Sequence, residues 1–382
     1  MMIRNRIFAT YYSKLKYMIK NTQNESSNSR VKVGISQGDI NGVGYEIMIK
    51  SFFDNRIFDE LTPIVFGMSK VASYHRKTLD IKDFSFNIIK KPEQANHKRA
   101  NIINCQEEEV IIDLGKSTEI AGKMSLQSLE CAIQCLKNNE IDVLVTAPIN
   151  KENIQSDEFN FPGHTEYLAQ KFETENYLML MVSNNLRIGA ITGHIPIKDV
   201  SSNLSKELIY SKINVLNKSL KKDFAICKPK IAILSLNPHA GDKGLIGSED
   251  TEIVTPSIKK AFDDGIMAFG PYPADGFFGI SNYQKFDGIL AMYHDQAMIP
   301  FKTLSFDSGV NFTAGLPIIR TSPAHGTAYD IAGKNQASPS SFLQAIYLAV
   351  DIFRNRQMHN KINSNPLKFG SSEKNGDAKK ND

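Results

Sequence analysis

Residues 286–330, FDGILAMYHDQAMIPFKTLSFDSGVNFTAGLPIIRTSPAHGTAYD, decide how this chain is interpreted. The apolar run 288–293 has the length of a buried strand, and His294 and Asp295 follow at its carboxyl end, where ligands bind in open α/β sheets. Four more polar residues follow in Gly- and Pro-bearing segments that predict turns: Lys302, Asn311, Arg320 and His325. Cations, an amide and imidazoles together favour a small, anionic, oxygen-rich ligand, and the alternative is a solvated polar loop.

The segments before this stretch alternate between strand and helix patterns, which predicts an α/β fold with a largely parallel sheet. The predicted strands are residues 31–36, 63–67, 86–90, 110–114, 141–148, a pair within 177–192, and the run that begins at 230. The predicted helices are residues 68–79, 125–136, 205–221, 252–262 and a last one from beyond Pro339 to about Arg354. Residues 270–278, GPYPADGFF, predict a rigid loop.

The chain has 382 residues, and a chain of this length usually folds around more than a single hydrophobic core. Two lobes are therefore expected. Basic residues concentrate at the ends, and the net charge is only +4, which argues against a nucleic-acid-binding face. Residues 1–30 and the tail after Lys361 are polar and predict disorder. No apolar run is long enough to span a membrane, and the four cysteines form no disulfide or metal pattern. These features favour the cytoplasm.

The first strand runs into a glycine loop, GDINGVGYE, that opens a helix. Such a loop either brings backbone N–H groups to an anion or serves only as a tight turn. Its spacing is not that of the dinucleotide-binding G-x-G-x-x-G fingerprint, so both interpretations stay open.

Five of the eight histidines lie close to Gly, Pro or Asp in loops that follow strands or precede helices: His164, His194, His239, His294 and His325. Thr165 would cap the helix that starts near Glu166. Any single histidine more often has a satisfied polar role, but three at similar positions favour Zn²⁺ or another divalent ion. The remaining three, His75, His97 and His359, are predicted to lie at the surface.

Seven motifs, in order and in register over roughly residues 31–350, resemble the 4-hydroxythreonine-4-phosphate dehydrogenase family. They are GHTE, TGHIP, LNPHAGDKGLIGSE, PYPAD, AMYHDQ, GVNFTAGLPIIRTS and HGTAYDIAGK. The resemblance implies a two-lobed α/β fold of the isocitrate/isopropylmalate dehydrogenase type, with the active-site cleft between the lobes. The first lobe would comprise residues 31–150 and 305–360, and the second lobe, with the metal-site loops, residues 151–304.

The resemblance also implies site residues. His194, His239 and His294 match divalent-metal ligands that the family shares across a homodimer interface. His164, Thr165, Lys302, Asn311 and Arg320 match substrate-binding positions, and His325, Gly326, Ala328 and Asp330 match the loop that holds NAD or NADP. The glycine loop and Ser248 depart from the family pattern, which leaves the fine substrate preference open.

The implied reaction is oxidation of 4-phosphohydroxy-L-threonine, a small phosphorylated substrate, by NAD or NADP with one Zn, Mg or Co ion. The product, 2-amino-3-oxo-4-phosphooxybutanoate, would decarboxylate to 3-amino-2-oxopropyl phosphate for pyridoxine 5′-phosphate biosynthesis. Asp295, Asp275 or metal-bound hydroxide is the candidate base, and Asp295 is equally a candidate for orienting His294. Three alternatives remain: a dehydrogenase of phospho-erythronate or phospho-threonate, an acyl-phosphate transferase, and a non-catalytic metabolite-binding protein.

Overall fold

The computed structural model describes residues 30–184, 186–305 and 307–365. Its strands are β1 (Val31–Ser36), β2 (Leu61–Gly67), β3 (Asn87–Ile89), β4 (Asn101–Asn104), β5 (Val143–Thr146), β6 (Leu178–Ser183), β7 (Leu186–Ala190), β8 (Ile231–Leu234), β9 (Ala268–Tyr272), β10 (Gly288–Ala291), β11 (Val310–Ala314) and β12 (Arg320–Pro323). Its α-helices are α1 (Gly44–Ser51), α2 (Ser69–Thr78), α3 (Glu119–Lys137), α4 (His164–Lys171), α5 (Lys206–Lys222), α6 (Thr255–Asp263), α7 (Ala274–Gly279), α8 (His294–Ser305) and α9 (Ser340–Asn363). The predicted α/β fold is confirmed.

These strands form a single twelve-stranded sheet in the order β3-β4-β2-β1-β5-β12-β11-β6-β7-β10-β8-β9. The strands from β3 to β12 are parallel, as are the four from β7 to β9. Between these two blocks the pairs β12–β11, β11–β6 and β6–β7 are antiparallel, so the strand direction reverses in the middle of the sheet. We call these three antiparallel pairs the central seam.

Burial explains why the sheet forms from continuous apolar runs rather than alternating ones. Every residue of β2 is buried, as is every residue of β5, because helices cover both faces of the sheet. The helix α9 packs on one face, where the Ala345 carbonyl accepts a hydrogen bond from the Thr321 hydroxyl of β12. The helix α4 lies on the other face, which also carries the cavity described below.

Two predictions of secondary structure are wrong. Residues 110–114 form no strand: Ile111 is exposed, and the segment is held instead by Asn41, whose Oδ1 accepts from the Asp113 N–H at 2.9 Å. The strand that pairs with β2 on the side away from β1 is β4, which precedes this segment in the chain. Residues 270–278 are not a loop, because β9 ends at Tyr272 and α7 follows. Pro271 is tolerated in β9 because this strand is the edge of the sheet.

The last helix is longer than predicted. It continues past Arg354 to Asn363, so the first residues of the predicted disordered tail are helical. Residues 1–29 and 366–382, on which the other disorder predictions fall, lie outside the described residues. Because one sheet runs through both predicted lobes, the division at residues 151–304 stays a prediction. Within the described ranges no helix has the length and apolar character needed to cross a membrane.

Candidate active site

A cavity of about 270 Å³ lies on one face of the sheet, over the central seam. Its floor is made by residues two apart on neighbouring strands, which therefore point to the same face: Met179 and Met181 on β6, Asn311 on β11, and Arg320 and Ser322 on β12. The helix α4, the residues that follow β5, and the helix α8 that follows β10 close its sides. The reversal of strand direction thus brings distant parts of the chain to one site.

Arg320 is the buried cation of this cavity, with only 3% of its surface exposed. Its Nε and Nη2 donate to the Thr146 hydroxyl at 3.1 and 2.7 Å, and Nη2 lies 3.1 Å from His164 Nδ1. Burial lowers the pKa of Arg320 to about 10, and the nearby Glu166 carboxylate opposes this shift. The guanidinium is therefore charged at neutral pH and is held by uncharged partners.

Four polar atoms among the cavity-lining residues are buried and have no hydrogen-bond partner in the described part of the chain. They are Nη1 of Arg320, Nε2 of His164, Oδ1 of Asn311 and Nε2 of His325. Buried polar atoms are almost always paired in native proteins, and leaving one unpaired costs about 1–3 kcal/mol. A cavity that leaves four unpaired is suited to a polar ligand.

The charged residues of the cavity are mostly positive. Lys151 and Lys302 line it together with Arg320, and Glu166 is the one carboxylate among the lining residues given by the described structure. Burial opposes ionisation of Glu166, but the His194 imidazole, the residue's own backbone N–H and Lys151 together lower its pKa below the ordinary value. The net positive lining favours an anionic ligand.

One end of the cavity brings two histidines together. The rings of His194 and His294 have centroids 5.5 Å apart, because these residues follow β7 and β10, which are parallel neighbours. Each Nδ1 faces a carboxylate: Asp295 Oδ1 lies 2.7 Å from that of His294, and Glu166 Oε1 lies 3.8 Å from that of His194. Carboxylates at Nδ1 leave each Nε2 available to a cation, so this pair fits a divalent metal ion.

The third predicted ligand, His239, is exposed and does not line the cavity. It begins a run of six residues with positive φ, from 54° at His239 to 99° at Gly244, in the turn after β8. Across residues 30–365, apart from the two undescribed positions, no three His, Cys, Asp or Glu side chains converge as a metal site. A single chain therefore brings together two of the three histidines.

The predicted cofactor loop borders the cavity at its beginning only. His325 and Gly326 line the cavity, whereas Asp330 is exposed and Ala328 is half-buried with a φ of 46°. The carbonyl of Thr327 accepts a hydrogen bond from the Val43 N–H at 3.0 Å. The loop is thereby fixed against the first glycine loop.

The first glycine loop is a buried turn, which is the second of the two interpretations left open by the sequence. Its backbone N–H groups donate within the protein: those of Asn41 and Gly42 to Asp39, and that of Asp39 to the Pro148 carbonyl. Gly42 is required because a Cβ there would lie 2.8 Å from the Thr327 carbonyl oxygen. No residue of this loop is among those that line the cavity, and its contact with Thr327 supports the predicted cofactor loop.

Several predicted site residues lie on regular structure rather than in turns. Lys302 is in α8, while Asn311 and Arg320 are on β11 and β12. Thr165 does not cap α4, because the N-cap is Gly163. The Thr165 hydroxyl lies 3.4 Å from the Thr313 hydroxyl instead.

His75 was also predicted incorrectly, because it is buried in α2 rather than at the surface. Its Nε2 lies 2.7 Å from the Ile40 carbonyl oxygen, which satisfies the ring inside the core.

Sequence reasoning missed three residues of the site: Thr146, Lys151 and Glu166. Thr146 ends a buried strand and gives no signal in one sequence, because a threonine there is common. Glu166 stands directly after the His164–Thr165 pair in the GHTE motif, so its place in that motif was the available signal.

Comparison with known proteins identifies the family. The family model described as "Pyridoxal phosphate biosynthetic protein PdxA" matches residues 59–349, most of the chain. The chain belongs to the PdxA family. This confirms the resemblance found in the sequence.

Relatives of this PdxA-family chain carry two different names. A 4-hydroxythreonine-4-phosphate dehydrogenase of Bacteroides thetaiotaomicron is 50% identical over 92% of this chain and 97% of its own length. A putative D-threonate 4-phosphate dehydrogenase of Oceanobacillus iheyensis is 36% identical over 84% of this chain and 97% of its own length. The crystal structure of 4-hydroxythreonine-4-phosphate dehydrogenase from Klebsiella pneumoniae, 31% identical, covers 85% of this PdxA chain and 100% of its own, with a TM-score of 0.74.

Proposed function

We propose that this chain oxidises 4-phosphohydroxy-L-threonine with NAD or NADP in pyridoxine 5′-phosphate biosynthesis. The C3–H hydride passes to the nicotinamide and the hydroxyl loses its proton, giving 2-amino-3-oxo-4-phosphooxybutanoate. This β-keto acid loses CO₂, because its ketone accepts the electrons of the broken bond, and protonation gives 3-amino-2-oxopropyl phosphate. Family membership and the relative with 50% identity over nearly its full length support the proposal.

The observation that carries this function is the cationic cavity with four unpartnered buried polar atoms. Arg320 and Lys302 bind the phosphate or carboxylate of the substrate. His164 and Asn311 orient the substrate by hydrogen bonds, with Thr165 beside them on α4. Such contacts fix the reacting carbon and lower the entropic part of the barrier.

His194 and His294 hold the divalent metal, Zn, Mg or Co, with His239 of the partner subunit as the third ligand in a homodimer. When bound, the ion supplies Lewis-acid polarisation of the substrate oxygen. The imidazole pair, with each Nδ1 turned to a carboxylate, supports this assignment.

Asp295 contacts His294 Nδ1 at 2.7 Å, which favours an orienting role for this carboxylate over that of general base. The loop with His325, Gly326, Ala328 and Asp330 holds NAD or NADP. The protein's task toward the nicotinamide is placement, since the cofactor accepts the hydride. The cytoplasm is the proposed location.

A second candidate keeps the chemistry and changes the substrate to a phosphorylated sugar acid, phospho-threonate or phospho-erythronate. The relative named putative D-threonate 4-phosphate dehydrogenase favours it. An absorbance assay at the NADH band decides between the two, with each substrate, either cofactor, and with and without divalent metal. We expect the larger kcat/KM with 4-phosphohydroxy-L-threonine and loss of activity on chelation. A preference for the amino-free acids would contradict the first candidate, and activity that resists EDTA would contradict the metal.

A further inference from the structure

The buried guanidinium of Arg320 depends on one threonine for its orientation. Thr146 Oγ1 accepts from both Nε and Nη2, so it fixes the Nε–Nη2 edge of the guanidinium. The remaining Nη2 contact is with His164, and Nη1 has no partner among the described residues. A buried cation whose protein partners are all neutral keeps its charge available to an incoming anion.

This arrangement also sets the proton position on His164. A guanidinium has only donors, so the contact of Nη2 with Nδ1 at 3.1 Å requires Nδ1 to be the unprotonated acceptor. Burial, together with the positive charges of Arg320 and Lys151, lowers the pKa of His164 well below its ordinary value, so the ring is neutral. The single ring proton is then on Nε2, which is buried without a partner in the described structure. His164 thus offers a donor to the cavity.

We propose that Thr146 is a positioning residue for substrate binding. Its hydroxyl oxygen holds the Arg320 guanidinium so that Nη2 donates to His164 Nδ1, and this contact keeps His164 in the Nε2–H tautomer. Arg320 and His164 thereby both present N–H groups to an anionic group of the substrate. This inference rests on the proposed function, because it takes Arg320 and His164 as substrate-binding residues.

The sheet supplies a matched control for Thr146. Thr321 is likewise fully buried, and its hydroxyl also makes a hydrogen bond, to the Ala345 carbonyl at 2.7 Å. It is on β12 beside Thr146, but its register with Val145 turns its side chain to the opposite face of the sheet. A valine at either position removes one buried hydroxyl, and only the change at Thr146 removes the partner of Arg320.

Steady-state kinetics on the metal-loaded enzyme separate positioning from stability. Because Thr146→Val removes hydrogen bonds from a charged group, we expect the KM for the phosphorylated substrate to rise about 10- to 100-fold while kcat stays within about threefold. Thr146→Ser, which keeps the acceptor, should restore KM. Thr321→Val should lower Tm by a comparable amount and leave KM as in the wild type. An unchanged KM in Thr146→Val, or a rise that Thr146→Ser does not reverse, overturns the proposal.

Two measurements on metal-free protein do not depend on turnover. In ¹⁵N histidine NMR, with His164 assigned from the spectrum of His164→Gln, the wild type should show the Nε2–H tautomer. Calorimetric titration with inorganic phosphate should show affinity reduced by Thr146→Val and not by Thr321→Val. A proton on Nδ1 in the wild type overturns the proposal even where Thr146→Val does not fold. If the wild type oxidises none of the phosphorylated substrates, the proposed function fails, while these two measurements still decide the role of Thr146.

Discussion

The two ends of the cavity differ in how far one chain completes them. At the anion end, Arg320, Thr146 and His164 are buried, and Arg320 donates hydrogen bonds to the other two. At the other end, His194 and His294 are each about a third exposed, and His239 is on an exposed turn outside the cavity. We call these the anion end and the histidine end.

The difference follows from how each end is supported. At the anion end, Thr146 and Arg320 are on strands inside the sheet, and His164 at the start of α4 is buried against Arg320, so packing fixes these side chains before any ligand arrives. The histidine end is built on segments after strands, where loops and a helix start carry the ligands. We propose that the anion end is preorganised within one chain and that a second subunit and an ion complete the histidine end.

The largest effect is expected at the histidine end. His239→Ala and His294→Ala should each abolish metal binding, measured by mass spectrometry of bound metal, and lower kcat/KM by at least about a thousandfold, since the ion is the Lewis acid of the proposed reaction. Mixing the two inactive variants, with unfolding and refolding to exchange subunits, should restore about a quarter of wild-type activity if His239 is contributed across a two-fold axis. Half of the dimers are then mixed, and each mixed dimer has one intact site.

A control for this experiment is His359→Ala, which changes a half-buried histidine on α9 that does not line the cavity. It should keep both the metal and the activity. Mixtures that stay inactive would show that all three histidines act within one chain or that His239 is no ligand. Either result would remove the distinction between the two ends.

The next effect is at the anion end. Arg320→Lys keeps a positive charge but loses the fork of donors that contacts Thr146 and His164. We expect KM for the phosphorylated substrate to rise by about 100-fold with a smaller change in kcat, because the contact exists in both ground and transition states. Arg187→Lys is the control, since Arg187 packs over the Phe224 ring and does not line the cavity. A KM equal to the wild type's would show that Arg320 does not bind the substrate.

The smallest effect is on stability. The pKa of His164 in the folded protein is below the ordinary value of 6.5, mainly because of burial, so the unfolded chain takes up a proton first as the pH falls. The neutral ring therefore makes its full contribution to the free energy of unfolding above about pH 6.5. This contribution decreases at lower pH, by about 1.4 kcal/mol at about pH 5.5. Between about pH 7.5 and 5.5, the free energy of unfolding of His164→Gln, measured by urea unfolding, should fall by about 1.4 kcal/mol less than that of the wild type.

His75 provides the internal reference for this measurement. It is also buried with a lowered pKa, and it is intact in both proteins, so part of the acid sensitivity should remain in His164→Gln. Equal pH dependence in the two proteins would mean that His164 is protonated in the fold, and the anion end would then not be preorganised as described.

The sequence predicted the element types well wherever apolar runs were long and bounded, as in β1, β2 and α5. It failed at residues 110–114, where the pattern suited a strand but the Asp113 N–H donates to the Asn41 side chain and the segment joins no sheet. It also placed Asn311 and Arg320 in turns, because short strands that carry functional polar residues lose the apolar pattern of a strand. These errors share one cause, because the sequence of a segment does not show which strand it pairs with in the sheet.

The candidate site shows the same limit. Arg320 and His164 of the anion end were found from sequence motifs, whereas Thr146 was not, because its role comes from the parallel pairing of β12 with β5. For His75, polar neighbours in sequence predicted exposure, but the helix turns this ring into the core. The sequence thus identified the motif residues of the site, and the structure was required to find Lys151, Glu166 and the threonine that holds Arg320.

The central seam has a mechanical consequence. The strands under the cavity, β6, β11 and β12, are also those that join the two parallel blocks. Widening or narrowing the cavity must therefore flex a continuous hydrogen-bonded surface, which resists bending more than a flexible linker would. Any ligand-driven closure should be small in amplitude, and its signature should be slowed amide hydrogen exchange along β11.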